Sequence, residues 1–266
     1  MPTVSPLPPP LGFLAKAEEF GIAFDEGDLG RLGMYLALLL ETNKSFNLTA
    51  ITDPAEAWER HVLDSLTLVP TLGELAAGAE IVDVGSGGGA PGLVLGSVCP
   101  GNRFTLVEAT GKKARFLEET ARAMGLANVR VIADRAENLG RDHREHREKY
   151  DAALARAVGR IAVVAELVIP LLKVGGLALL TKGRQAEEEI AEAKEALFLL
   201  HAAVAGVVET PTGRVVAIEK RRQTPRIYPR RPGEPARSPL GVGPRVAPRV
   251  PPGDDGDPPE TGATPT

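Results

Sequence analysis

The sequence predicts an α/β fold: a mostly parallel seven-stranded sheet that ends in an antiparallel hairpin, preceded by a small helical segment. Three observations carry this. Strand-like and helix-like runs alternate from Glu80 onward. The first of those strands ends in a glycine-rich turn, and the last two runs straddle the turn Thr210-Pro211-Thr212-Gly213.

Residues 1–10 are proline-rich and are expected to be disordered. Over 11–78, apolar residues recur at spacings of three and four: Phe13, Leu14, Ala17 and Phe20 on one face, then Leu29, Leu32, Tyr35, Leu36, Leu39 and Leu40 on another. A polar connection, Asn43 to Thr49, leads to a helix over Ala55 to Leu66 that places Arg60, His61 and Asp64 close together. With no further ligand cluster nearby, no metal site is expected, and a structural role is the simpler reading of His61 and Asp64.

Over 79–222 the strands are Glu80–Val84, Phe104–Val107, Val129–Ala133, Tyr150–Ala157, Leu177–Gly183, Ala203–Glu209 and Arg214–Lys220. Between them lie helices beginning near Pro91 and Lys112, an apolar one over Ile161–Lys173 and an exposed, Glu-rich one over Gln185–Leu200. Residues 223–240 form a basic extension open to packing, and 241–266, dominated by Pro, Gly and acids, are expected to be mobile.

Composition narrows the function classes. In 266 residues, a hydrophobic share of 43% supports a sizeable core, and no run of about eighteen apolar residues suggests a membrane span. The opening residues lack the basic start of a secretory signal, so a cytoplasmic protein is expected, and a monomer is taken as the default. Cys99 is the single cysteine, which excludes an internal disulfide and a cysteine-rich zinc site. A net charge of −4 does not announce a nucleic-acid binder. Locally, however, Lys220 to Arg249 carries nine cations against Glu234, a strip suited either to phosphates or to a solvated tail.

The chemistry centres on Asp83-Val84-Gly85-Ser86-Gly87-Gly88-Gly89-Ala90-Pro91-Gly92. Glycine admits positive φ and removes the Cβ, so backbone can approach a ligand, and a helix start beyond it offers free N–H groups. Gly85-x-Gly87-x-x-Ala90 fits a dinucleotide fingerprint, and Asp83-x-Gly85-x-Gly87-x-Gly89 fits the glycine loop of S-adenosylmethionine methyltransferases; a plain strand-to-helix connection is a third reading. Glu108, at the end of the next strand and about twenty residues on, stands where a carboxylate accepts from a ribose diol. Because ligands in such sheets bind beyond the strands' carboxyl ends, Gly85, Glu108, Ala136, Glu137 and Arg156 are expected to converge on one crevice. The terminal hairpin departs from a dehydrogenase sheet and favours the methyltransferase form.

Several motifs together resemble a known family. Asn43-Lys44-x-Phe46-Asn47-Leu48-Thr49, Arg60-His61-x-Leu63-Asp64-Ser65, the glycine loop with Pro91-Gly92, Lys112-Lys113-x-x-Phe116-Leu117, Ala155-Arg156-Ala157 and Lys182-Gly183 are similar, in this order, to the RsmG (GidB) family of bacterial methyltransferases of small-subunit ribosomal RNA. The similarity runs from about Leu11 to Leu240, and Gly88 and Ala90 stand where proline and a larger apolar residue are common. The resemblance implies a Rossmann-like class I methyltransferase fold. It also implies methylation of guanosine N7 in the 530 loop of 16S rRNA, with S-adenosylmethionine as donor and 16S rRNA or the small ribosomal subunit as partner. By motif position the cofactor would touch Gly85, Gly87, Ala90, Ala136, Glu137 and Arg156, with Glu108 added from the fold pattern. Arg135, Arg156, Lys182 and Asn47 are candidates for positioning RNA, with His61 and Asp64 closing the site; Lys112 and Lys113 suit either an RNA face or a solvated helix turn. No acid–base pair is assigned, since guanine N7 attacks through a lone pair and loses no proton. A non-catalytic nucleotide-binding module and an NAD(P)-dependent oxidoreductase are the competing classes.

Overall fold

A computed structural model describes residues 4–241. Its helices open with α1 (Phe13–Glu19) and α2 (Asp28–Asn43), followed by a continuous rod of α3 (Pro54–Ala57), a π-helical stretch (Trp58–Leu63) and α4 (Asp64–Leu66), then α5 (Val69–Gly73). Asp53 starts the rod by accepting from the Glu56 N–H at 2.8 Å, with Pro54 at the first helical position, where no N–H is needed.

The sheet comprises β1 (Glu80–Val84), β2 (Arg103–Val107), β3 (Val129–Ile132), β4 (Tyr150–Arg156), β5 (Leu172–Lys182), β6 (Ala202–Thr210) and β7 (Gly213–Lys220). Its order is β3-β2-β1-β4-β5-β7-β6; β1 to β5 pair in parallel and β7 pairs antiparallel with both β5 and β6. The expected fold class is the one observed. Strand order reverses between β1 and β4, which opens a crevice at their carboxyl ends.

Alternation along the strands divides the core in two. Ile81, Phe104, Leu106, Ala152, Leu154 and Leu179 face α1 to α5 together with α6 (Gly92–Val98) and α7 (Gly111–Ala123). Val82, Val84, Val107, Ala153, Ala155 and Leu180 face α8 (Ala136–Arg141), α9 (Ile161–Val168), α10 (Ala186–Glu192) and α11 (Lys194–Leu199). The N-terminal helices therefore share one core with the sheet: Leu36, Leu39, Trp58 and Leu63 belong to the same buried cluster as Ile81 and Leu93.

Four local expectations change. Residues 4–10 are packed rather than loose: the Leu7 N–H donates to the Gly33 carbonyl at 3.1 Å, and Val4 and Leu7 lie against the core. The helix read over Ile161–Lys173 ends at Val168, passes through one 3₁₀ turn (Ile169–Leu171) containing Pro170, and becomes β5, which runs through Gly175-Gly176. The Glu-rich helix is two short helices broken at Ala193, and it is not simply exposed, because Ala186, Ala196, Leu197 and Leu200 are buried.

The basic strip is the fourth. Lys220 is fully buried, its ammonium on Glu148 at 2.9 Å and the Leu172 carbonyl at 2.8 Å, and Arg230 pairs with the buried Glu166 at 2.6 Å. The extension packs on the second core through Tyr228 and Leu240 and carries a short helix, α12 (Glu234–Arg237). Those cations hold the fold. Arg245, Arg249 and the tail expected to be mobile lie outside the described residues, apart from Gly241.

One shared core predicts one cooperative unfolding step. Leu36→Ala should cost about 2–5 kcal/mol, and urea curves followed by Trp58 fluorescence and by far-ultraviolet circular dichroism should coincide; separate midpoints would show that the helical layer folds on its own.

Candidate active site

The glycine loop holds a shape that side chains rarely adopt: Gly85, Gly87 and Gly89 have φ of 71°, 52° and 98°. A Cβ on Gly85 would lie 2.8 Å from Val158 Cγ2. The Gly85 N–H donates to the Val107 carbonyl at 2.8 Å, and the Gly87 N–H donates to Glu108 Oε2 at 3.0 Å. Glu108 Oε1 accepts from the Thr110 N–H at 2.8 Å, so this carboxylate already ties the tips of β1 and β2 together.

Beneath the loop, Asp83 is buried between β1 and α6. Its Oδ2 accepts from the Gly92 N–H at 3.1 Å, while Oδ1 has no hydrogen-bond partner. Burial pushes the Asp83 carboxyl up to about 6. From the helical layer, the Tyr35 hydroxyl donates to the Gly88 carbonyl at 3.0 Å, and burial raises its phenol well above the ordinary value. Tyr35 reads in the sequence as one more member of an apolar stripe; nothing there marks its hydroxyl as a support of the loop.

One cavity borders this loop, and a second lies across the turn after β4. The first, about 220 Å³, is lined by Gly85 and Glu108, by Arg135, Ala136 and Glu137 at the start of α8, by Val163 and Leu167 of α9, and by Gly233, Pro235 and Ala236. It brings together Gly85, Glu108, Ala136 and Glu137 as expected, with exposed Arg135 at its lip. Gly87 is tied to Glu108, and Ala90 is buried at the far end of the loop.

Arg156 does not join this cavity. Its side chain turns to the second, about 490 Å³, which is lined among others by Arg60, His61, Asp64, Lys182, Glu189 and Thr212. This is the face that strand alternation gives it, shared with Ala152 and Leu154 toward the helical layer; the next residue, Ala157, has a φ of 56°, a left-handed conformation uncommon without glycine. Ala157 and Gly159 face the second cavity and Val158 the first, so this turn is the partition between them.

Arg156 locks the π-helical stretch to the sheet. It donates to the Arg60 carbonyl at 2.6 Å and to His61 Nδ1 at 2.9 Å. Guanidinium only donates, so Nδ1 must accept, and His61 carries its proton on Nε2, 2.9 Å from Thr49 Oγ1. Burial, followed by the Arg156 and Arg60 charges, lowers the imidazole to about 3. Asp64 accepts from the Thr212 hydroxyl of the β6–β7 turn, and its Oδ1 is buried without a partner. His61 and Asp64 thus bond to other partners, not to each other. Lys182 is no free cation: it pairs with Glu189 at 2.9 Å and donates to the Gly159 carbonyl.

Asn47 is exposed, outside both cavities. The organiser of its loop is Asn43, whose Oδ1 accepts from the Leu48 and Thr49 N–H groups at 2.7 and 3.0 Å. Leu48, in turn, lies against Gly88.

Residues 28–216 match the profile of the family described as GidB, rRNA small subunit methyltransferase G. The chain belongs to this family. A ribosomal RNA small subunit methyltransferase G of Sorangium cellulosum is 48% identical over 231 residues, covering 87% of this chain and 96% of that protein. One of Pelotomaculum thermopropionicum is 42% identical, covering 84% and 95%. Among solved structures, a SAM dependent methyltransferase from Aquifex aeolicus superposes with a TM-score of 0.50 at 15% identity, over 68% of this chain and 98% of that one; this likeness bears on the fold alone. As a member of the family, the chain is an S-adenosylmethionine-dependent enzyme that methylates small-subunit ribosomal RNA. The residues present fit that cofactor: a Cβ-free loop, a carboxylate at the tip of β2 and an apolar slot suit a nucleoside.

Folding depresses the His61 pKa, so the unfolded chain binds the extra proton and stability should decline as pH falls from about 6.5 toward 3. His61→Gln should flatten that limb in urea titrations at a series of pH values. Equal slopes in both proteins would refute the depressed imidazole.

Proposed function

We propose that the chain methylates N7 of a guanosine in the 530 loop of 16S rRNA, the target that its resemblance to the family implies, and that it acts as a cytoplasmic monomer. No helix among the described residues is long and apolar enough to cross a membrane. The observation that carries the reading is the pair of cavities separated only by the turn from Arg156 to Gly159. The first takes the nucleoside of the donor; the second, larger and lined by Arg60, Asp64 and Thr212, takes the base.

S-adenosylmethionine supplies an electrophilic sulfonium methyl. The chain's own residues supply placement. In the first cavity, Gly85, Ala136 and Glu137 would border the nucleoside and Glu108 would accept from its ribose. In the second, Arg156 holds the wall and Asp64 Oδ1 accepts from the N1–H and N2–H edge of guanine, leaving N7 toward the partition. Arg135 at the lip and exposed Asn47 are placed to meet RNA outside the base slot. No residue is needed as a base, which agrees with a neutral His61 whose two nitrogens are both engaged. Alignment of nucleophile and methyl alone can lower such a barrier by roughly 7–11 kcal/mol.

Guanine N7 lies in the deep groove of A-form RNA, so a loop or splayed base is the accessible target. Family membership sets aside the oxidoreductase reading. The decisive experiment incubates the protein and S-adenosylmethionine with small-subunit RNA lacking the modification, then maps N7-methylguanosine by borohydride/aniline cleavage. Cleavage at a guanosine of the 530 loop is the expected result, and absence of cleavage there refutes the assignment.

Two variants separate the cavities. Gly85→Val should abolish calorimetric binding of S-adenosylhomocysteine, because its Cβ meets Val158 and its φ is unfavourable. Asp64→Ala should leave that binding intact yet lower kcat/KM for RNA by about tenfold to a hundredfold, the scale of one hydrogen bond to a charged group. If Asp64→Ala changes both measurements equally, Asp64 supports the fold rather than the guanine edge.

A further inference from the structure

Residues 223–240 lie beyond the 28–216 span that matches the family profile, yet Gly233, Pro235 and Ala236 line the first cavity beside Glu108 and Glu137. Their attachment is extensive, and it runs to the two elements that form the cavity's other walls.

To α8 there are three ties, one at its start and two at its end. Glu137 Oε1 accepts from the Gly233 N–H at 2.8 Å, Arg141 Nε donates to the Pro229 carbonyl at 2.9 Å, and Pro229 sits so close to Gly140 that a Cβ there would be 2.8 Å from it. To α9 there is one, made to a buried acid. Arg230 clasps Glu166 with both Nε and Nη2, at 2.9 Å to Oε1 and 2.6 Å to Oε2, and its backbone N–H donates to Oε1 at 2.8 Å. Glu166 is fully buried on the same helix as Val163 and Leu167, which line the cavity. Arg147 secures the segment's beginning by donating to the Thr224 and Tyr228 carbonyls, both at 2.7 Å.

Such a network is more than a loose tail needs for solubility. A charge-assisted, bidentate clasp fixes direction as well as distance, so the clasp at Glu166 and the tie at Glu137 together set where Pro235 and Ala236 stand. The cavity they complete is lined by the apolar Val84, Val107, Val163 and Leu167 and by the acids Glu108, Asp134 and Glu137, which is the chemistry of a slot for a flat purine and its ribose.

We propose that the C-terminal segment from Pro229 to Arg237 is the outer wall of the cofactor's adenine slot, and that Glu137 acts there as a positioning residue that holds this wall through Gly233. The proposal rests on the assignment of the first cavity to the S-adenosylmethionine nucleoside. It makes cofactor affinity a property of the extension as well as of the glycine loop.

The test is hydrogen–deuterium exchange on the full chain with S-adenosylhomocysteine, adenosine or methionine as probe. Adenosine and S-adenosylhomocysteine should each slow exchange across residues 230–237, and methionine should not. Unchanged exchange there, in a protein that calorimetry shows to bind S-adenosylhomocysteine, overturns the proposal and leaves the cofactor site standing. A protein that binds none overturns the cavity assignment and the proposal with it. In parallel, Ala236→Trp places a large ring at an exposed position that also edges the slot, so folding is tolerated while room for the nucleoside is lost. It should weaken S-adenosylhomocysteine about tenfold or more, equivalent to about 1.4 kcal/mol, with unchanged melting in the absence of ligand. Wild-type affinity in this variant counts against the wall as decisively as unchanged exchange.

Discussion

The contact between Asp83 and Gly92 is the constraint on which the rest of the structure depends. A carboxylate at the tip of β1 accepts from the first N–H of α6, and the two elements come so close that a Cβ on Gly92 would lie 2.6 Å from Oδ2 and 2.9 Å from Leu106. That approach fixes how sharply the chain must turn between strand and helix, and three glycines at positive φ are the means of turning. Everything that borders the loop is then placed in relation to it. Glu108 holds it from β2, Val158 from the β4 turn, and Tyr35 from the helical layer behind.

Seen from this contact, the N-terminal helices are part of the catalytic frame rather than an appendage. α2 carries Tyr35 to Gly88 and, through Asn43, shapes the loop whose Leu48 touches the same glycine. The π-helical stretch is the second link. Its wider turn is a feature seen mostly at functional sites, and here it carries Arg60 and His61, both bonded to Arg156. One layer therefore meets the glycine loop at one end and the partition between the cavities at the other, and a single buried cluster joins the two.

Much of the fold was legible because periodicity reports burial. The short apolar runs of β1, β2 and β4 and the glycine loop before α6 stand in the sequence almost as they stand in the structure, and the terminal hairpin reads correctly from its Pro-Thr-Gly turn. Glu108, Ala136 and Glu137 meet Gly85 because strand tips in such sheets must converge. Convergence of strand tips alone does not show which side of the sheet a residue serves. Arg156 ends a strand at the crevice, yet it shares the face of Ala152 and Leu154 and so reaches the other cavity, on the side of the helical layer. Asn47 and Asn43 sit in the same motif with the same chemistry. Only the folded loop shows that Asn43 is the one spent on backbone N–H groups.

Charge was the least legible property, and the reason is physical. Nine cations between Lys220 and Arg249 read as a surface strip because lysine and arginine are rarely buried without partners. Partners exist, but they are distant in sequence: Glu148 for Lys220, and Glu166, in the middle of an apolar helix, for Arg230. An acid in the core-facing run Ala162-Val163-Val164-Ala165-Glu166-Leu167-Val168 is a demand for a buried cation, and the chain meets it from its C-terminal extension. Removing Arg230 would leave a fully buried carboxylate uncompensated, which is far costlier than losing an exposed pair. The extension is thus tied into the second core by an electrostatic requirement set in α9, and its position over the first cavity follows from where that requirement lies.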